Sequence, residues 1–174
     1  MTLTACVAKA PAQTSGAVPE YQIKAAFLYN VVKFVEWPAA AFSATADPFV
    51  VGVLGDDPFG EHLDRILKGK RIDGRPLVVN RFGRVPDTQT CHVLFVSASA
   101  KKQWREIFQL LADRSVLTVG DVRGFRDSGG MIGLTTEGNR LTFEVDLAAA
   151  NRAHLSVSSQ LLRLAATVNG ARTK

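Results

Sequence analysis

Apolar residues crowd the stretch AAFLYNVVKFVEWP, residues 25–38, where ten of fourteen positions are Ala, Val, Leu, Phe, Tyr or Trp. At about 100° per residue, Ile23, Ala25, Phe27, Leu28, Val31, Val32, Phe34 and Val35 cover an arc of roughly 200°, enough to bury one side of a helix on a sheet. The residue before a proline avoids helical geometry, so the spacing predicts a helix over residues 20–36 that ends ahead of Pro38. Tyr29, Asn30, Lys33, Glu36 and Trp37 are left on the opposite side.

Beyond this helix the period shortens. DPFVVGVLG, residues 47–55, is a short apolar, β-rich run bounded by turn residues, the pattern of a buried strand. DDPFGEHLDRILKGK follows as a helix, with Asp57 placed to cap it, Pro58 at its first position and Gly69 at its end. RPLVVNRF (75–82) and CHVLFVS (91–97) are two further strands. SAKKQWREIFQLLAD is an amphipathic helix with Trp104, Ile107, Phe108 and Leu111 on one side, and SVLTVGD (115–121) is a strand. This alternation implies a largely parallel sheet with helices on both faces.

The pattern then changes. GGMIGLTTEGNRLTFEVD, residues 129–146, reads as two strands joined at Glu137-Gly138-Asn139, an antiparallel hairpin. LAAANRAHL and SVSSQLLRLAATV close the chain as two helical segments, with Leu161, Leu162, Leu164 and Val168 at core spacing. Residues 19–174 carry no repeat and no linker, which predicts one domain.

Composition narrows the possibilities. The hydrophobic share of 47% and charged share of 21% suit a globular protein, and no apolar run reaches the roughly 18 residues that span a bilayer. The formal charge is +5, densest over residues 64–84, where seven Lys or Arg meet two Asp. That run lacks interleaved stacking aromatics and reads as a solvated face, not a nucleic-acid surface. Residues 1–18 are rich in Ala, Pro, Ser and Thr, and read as a disordered leader or the remnant of a signal region. Within them LTAC resembles a bacterial lipoprotein cleavage box, which would place a lipid on Cys6.

Tests for chemistry fail. His62, His92 and His154 stand apart without zinc spacing, and there is no G-x-S-x-G, so no catalytic residue, metal site or cofactor is expected. The strand tips offer one alternative. Asp56 and Asp57 after one strand, and Asp121 after another, lie where open α/β sheets bind ligands, and would line a small-molecule site.

Several stretches taken together resemble the YfiR family of bacterial periplasmic regulators: IKAAFLYNVVKFVEWP, VGVLGDDPFG, CHVLFVS, VLTVGDVRGF, GGMIGL, NRLTFEVD and LSVSSQLLRLA. The match runs from Tyr21 to Val168, and its most specific parts are the helix ending in EWP and the SSQLLRLA close. The resemblance implies a three-layer α/β sandwich and a non-enzymatic role. Such proteins are secreted to the periplasm, bind the periplasmic sensory domain of an inner-membrane diguanylate cyclase and hold it inactive. An outer-membrane lipoprotein can sequester the regulator, releasing cyclic-di-GMP synthesis and favouring biofilm, and dimers are common. Family members can carry two internal disulfides. Here Cys91 matches one of those cysteines but is the sole cysteine from Val7 to Lys174, so stability is expected from core burial.

An inhibitor needs a specific binding patch, and two surfaces are candidates. The first is the hairpin, with Met131, Ile132, Arg140, Phe143 and Glu144; its FE-x-N-like stretch matches a family region implicated in partner contact, with Asp146 where asparagine is common. Alternation puts Phe143 beside Leu141 and Val145 on one face and Glu144 on the other, so Glu144 is the more accessible of the pair. The second is the far side of the opening helix, with Tyr29 and Trp37.

Overall fold

The computed structural model describes residues 20–170, apart from 45 and 139, so the leader with Cys6, and Asn139 of the hairpin turn, lie outside the described residues. The first helix, α1, spans Glu20–Val31. It is followed by β1 (Val35–Glu36), β2 (Phe49–Leu54), α2 (Glu61–Leu67), β3 (Arg71–Ile72) and β4 (Arg75–Phe82). Then come β5 (Val93–Val96), α3 (Trp104–Leu111), β6 (Leu117–Gly120), β7 (Ile132–Glu137) and β8 (Arg140–Asp146). The chain closes with α4 (Leu147–Arg152), β9 (Ser156–Val157), α5 (Ser159–Leu164) and β10 (Thr167–Asn169).

The main sheet has the order β10-β8-β7-β6-β5-β2-β4-β3. Its centre, β6-β5-β2-β4, is parallel, and β2, β5 and β6 are buried along their whole length, as strands covered on both faces must be. β7 and β8 form the antiparallel hairpin, in register from Ile132 opposite Val145 to Glu137 opposite Arg140. Alternation sorts the side chains. Val51, Val53, Phe95, Val119 and Ile132 face α1, α2, α4 and α5, while Leu54, Leu94 and Val96 face α3 with Trp104 and Ile107. The result is a three-layer α/β sandwich.

The structure departs from the periodicity at three places. The first helix stops at Val31, not at residue 36: Val32–Phe34 turn, and Val35 and Glu36 extend to pair with Val157 and Ser156. Backbone pairing with a segment far along the chain therefore ends the helix well before Pro38 acts. α2 begins at Glu61 behind Gly60 (φ 53°), not at Asp57. Asp57 instead accepts the Phe59 N–H at 2.8 Å, closing the turn before the helix, and meets Arg81 at 2.7 Å. The final helical segment is shorter than predicted. α5 ends at Leu164, whose side chain is 70% exposed, and Val168 is not on a helix but in β10, opposite Val145.

Candidate functional site

The C-terminal tip of β6 and the loop leading to β7 are held by one ring. Phe125 is buried edge-on to Trp104 and Phe108, with centroids 5.4 Å from each. It rests against Gly120, where a Cβ would stand 2.7 Å from the ring, and against Gly130, where a Cβ would come closer still. Glycine at both positions lets the loop fold over the ring, which sets Asp121 and Arg126 at its two ends.

Asp121 lies inside the junction of this loop with α1. Its Oδ2 accepts from Lys24 Nζ at 2.5 Å and from the Tyr21 hydroxyl at 3.0 Å, and Lys24 also pairs with Glu20. The Lys24 side chain is 3% exposed. Burial alone would push its ammonium down, but the hydrogen bonds to Asp121 and Glu20 outweigh that and raise it above the ordinary lysine value. Tyr21 is also raised, by burial first and then by the negative charge and hydrogen bond of Asp121. Lys24 was not singled out in the sequence, although it falls on the Leu28–Val31–Val35 stripe at helical spacing. A cation on an apolar stripe, four residues after Glu20, was the available signal.

Arg126 lies against the hairpin. Its side chain is 14% exposed; Nη2 donates to Asp127 at 3.1 Å, and Nε stands 3.5 Å from Glu144 Oε2. Nε and Nη1 are buried without a hydrogen-bond acceptor among the described residues. Glu144, opposite Gly133 in register, keeps 40% side-chain exposure. Between the Lys24–Asp121 pair and the Arg126–Glu144 pair runs an open cleft of about 630 Å³, walled by the loop on one side and by Thr135 and Glu137 on the other.

The other predicted residues separate by depth. Met131 and Ile132 are buried, and Phe143, also buried, packs on Phe27 of α1 at 5.0 Å. A face made of these three side chains is therefore corrected to core. Arg140 is exposed. Tyr29 is half-buried under Lys33, whose Nζ stands 3.8 Å from the ring centroid. Trp37 leans edge-on against Phe49 and donates from Nε1 to the His92 carbonyl at 3.3 Å, so its ring serves the fold.

A second, smaller pocket of about 190 Å³ lies between the tips of β2 and β5, where the chain's connections run in opposite directions. It is lined by Asp56, Asp57, Ser97 and Ser99, and Asp121 borders both it and the large cleft. Ser99 Oγ takes the Asp56 N–H at 2.8 Å and bonds Ser97 Oγ at 2.8 Å. Among the described residues no group of three or more His, Cys, Asp or Glu is placed to hold a metal ion. Nor is any helix there long and apolar enough to cross a membrane.

Solved structures share this architecture. A conserved domain protein from Vibrio cholerae O1 biovar El Tor superposes with a TM-score of 0.54 at 10% identity, over 86% of this chain and 60% of that one. An ABC domain from Streptococcus pneumoniae, described in complex with L-Trp, gives 0.55 at 7% identity, over 85% and 60%. The chain thus spans about 60% of the length of each, and the likeness is one of fold. A sequence profile described as YfiR/HmsC-like matches residues 21–166, which supports a regulatory, non-catalytic role in the periplasm in general. With nearly all of the described residues covered by that match, the chain belongs to the YfiR/HmsC-like family.

Proposed function

We propose that this chain binds the periplasmic sensory domain of a membrane diguanylate cyclase and holds it inactive, so that its release raises cyclic-di-GMP and favours biofilm. Inhibition requires tighter binding to one state of the target than to another, and hence a defined patch. The observation that carries this reading is the Arg126–Glu144 pair, which stays partly open at the rim of the large cleft. Glu144 is loosely held at 3.5 Å and free to exchange its partner, and Arg140 lies on the same strand at the exposed end. An outer-membrane lipoprotein is a candidate competitor for the same face.

Calorimetry between the purified chain and a cognate cyclase's periplasmic domain tests this. Binding is expected, and Glu144→Lys should weaken it by about 1–3 kcal/mol, the range for a charged hydrogen bond lost. The absence of any heat with every cognate domain would sink the reading.

A second reading rests on the pocket at the topological switch point. There Asp56, Asp57 and Asp121 would line a small-molecule sensing site, and the Asp121 carboxylate, shared with the cleft, would couple occupancy to the partner face. A metabolite that raises Tm in the native chain but not in Asp56→Ala would favour it.

A further inference from the structure

Arg126 is held less well than its burial requires. Its Nε and Nη1 are two of the four buried side-chain polar atoms that lack a hydrogen-bond partner among the described residues. A cationic donor buried without an acceptor costs more than a neutral one, so an orphaned guanidinium in the wall of a cleft calls for an anion. Two carboxylates stand near it and neither suffices. Asp127, 72% exposed, takes only Nη2 at 3.1 Å. Glu144 stands 3.5 Å from Nε without bonding it.

The fold leaves room for what is missing. Ile132, Leu134, Phe143 and Val145 belong to the core shared with Leu28 and Val31 of α1. Alternation therefore turns Gly133 and Glu144, opposite each other in register, to the other face of the hairpin, where the Arg126 side chain lies. Gly133 has no side chain to fill that space: a Cβ there would meet only the Arg126 Cβ, at 3.7 Å. In a guanidinium, Nε and Nη2 form one edge, spaced to give parallel hydrogen bonds to both oxygens of a single carboxylate. In Arg126 that edge is divided between two acids, with only one bond made.

The surrounding charges narrow the class of ligand. Around the cleft stand Glu20, Asp127, Glu137 and Glu144 against Arg123, on a chain whose formal charge is +5. A bare anion would be repelled by these acids before it reached Arg126. A carboxylate flanked by cations would not, and its cations would meet the acids that Arg126 gives up. We propose that the cleft receives a protein segment carrying one carboxylate between basic residues. The carboxylate replaces Glu144 and Asp127 on the Nε–Nη2 edge of Arg126, and the bases take the two displaced acids. That the segment belongs to a diguanylate cyclase rests on the reading above; the exchange at Arg126 does not. The exchange also gives Glu144→Lys a cause, since it sets a cation against both Arg126 and the incoming bases.

Two matched peptides, acetyl-Lys-Asp-Lys-amide and acetyl-Lys-Asn-Lys-amide, isolate the carboxylate. In an isotope-labelled chain the Arg126 Nε–H resonance should shift to saturation with the Asp peptide, at an affinity about tenfold above that of the Asn peptide. In Arg126→Gln, followed through the backbone resonances of β8, the two peptides should bind alike. In Glu144→Gln, which keeps Arg126 and removes its competitor, the ratio should rise; this variant decides the matter should Arg126→Gln misfold. Equal affinities for the two peptides in the native chain and in Glu144→Gln would overturn the proposal, as would discrimination that survives Arg126→Gln. In calorimetry with a cognate cyclase's periplasmic domain, Arg126→Gln should weaken binding about tenfold, and Arg126→Lys should not restore it, because an ammonium lacks the planar fork. Peptides that discriminate while no cyclase domain binds would sink the cyclase reading and leave this site standing. A cyclase domain that binds Arg126→Gln as tightly as the native chain would do the reverse.

Discussion

The ammonium of Lys24 lies 2.5 Å from Oδ2 of Asp121, with the two side chains only 3% and 7% exposed. The pair joins the second turn of α1 to the tip of β6 and closes the inner end of the cleft. Removing Asp121 leaves the buried Lys24 ammonium with the half-exposed Glu20 carboxylate as its remaining partner. Asp121→Ala is therefore expected to lower stability by about 1–3 kcal/mol, read by urea denaturation, whereas replacing both partners with apolar residues, as in Lys24→Met/Asp121→Leu, should recover most of that loss. Equal losses in the single and double variants would show that the pair itself is not what matters.

The same junction has an alkaline signature. Lys24 and Tyr21 are both raised above their ordinary values, so each binds its proton more tightly folded than unfolded. The stability they contribute is complete below the unfolded pKa values of about 10, and is lost as pH rises through the folded ones. The urea midpoint of the native chain should fall as pH rises above about 10, and Lys24→Met/Tyr21→Phe should flatten that fall. An unchanged slope in the double variant would count against the assignment.

Phe125 provides a steric prediction. At Gly130 a Cβ would run into the Phe125 ring, and the ring is pinned by Trp104 and Phe108, so Gly130→Ala should destabilise by about 1–3 kcal/mol. Gly83 meets nothing within 4 Å and has no left-handed backbone. Gly83→Ala should be neutral or slightly stabilising, by about 0.4–1 kcal/mol at most, because it stiffens the unfolded chain. Thermal melts of the two variants side by side give the comparison.

What the sequence revealed divides by the range of the forces involved. Strand β4 was legible to the residue, since RPLVVNRF is a β-rich run bounded by turns at both ends, and the hairpin was legible from alternation and its glycine turn. The end of α1 was not, because Val35 and Glu36 are drawn into pairing by Ser156 and Val157, more than a hundred residues away in sequence. β10 was hidden for the same reason: Leu164 and Val168 fit one helical stripe, but β8 captures Val168 as a strand. At the site, Glu144 was reached through alternation and resemblance. Lys24 and Arg126 were missed because their burial depends on partners at Asp121 and Glu144, supplied by other elements.

The two aromatics of the first helical stretch should behave differently. Trp37 packs edge-on against Phe49 at 4.8 Å and hydrogen-bonds the His92 carbonyl, whereas Tyr29 is half-buried beneath Lys33 and Lys70. Trp37→Ala should lower stability by about 2–3 kcal/mol and Tyr29→Ala by about 1 kcal/mol or less, measured by chemical denaturation. If Tyr29 belongs to a partner face, its substitution should weaken partner binding in calorimetry while the Tm barely moves. Equal stability losses would return both rings to the fold.

His92 sets the acid limit. Its Nδ1 accepts the buried Val50 N–H at 3.0 Å, which leaves the proton on Nε2 to be donated to the Ala41 carbonyl at 3.2 Å. Phe42 and Phe49 both stack on the ring, at 4.5 and 4.8 Å. Burial, outweighing the Ala41 hydrogen bond, lowers its pKa below the ordinary histidine value. The unfolded chain therefore takes up the proton first as pH falls, and the contribution of neutral His92 is complete above about 6.5 and declines below it. Protonation would also turn Nδ1 from acceptor to donor and abolish the Val50 contact. The urea midpoint should drop between about pH 7 and 5, and His92→Gln, less stable at neutral pH, should show a shallower drop. A native chain whose stability is flat across that range would refute the role given to this ring.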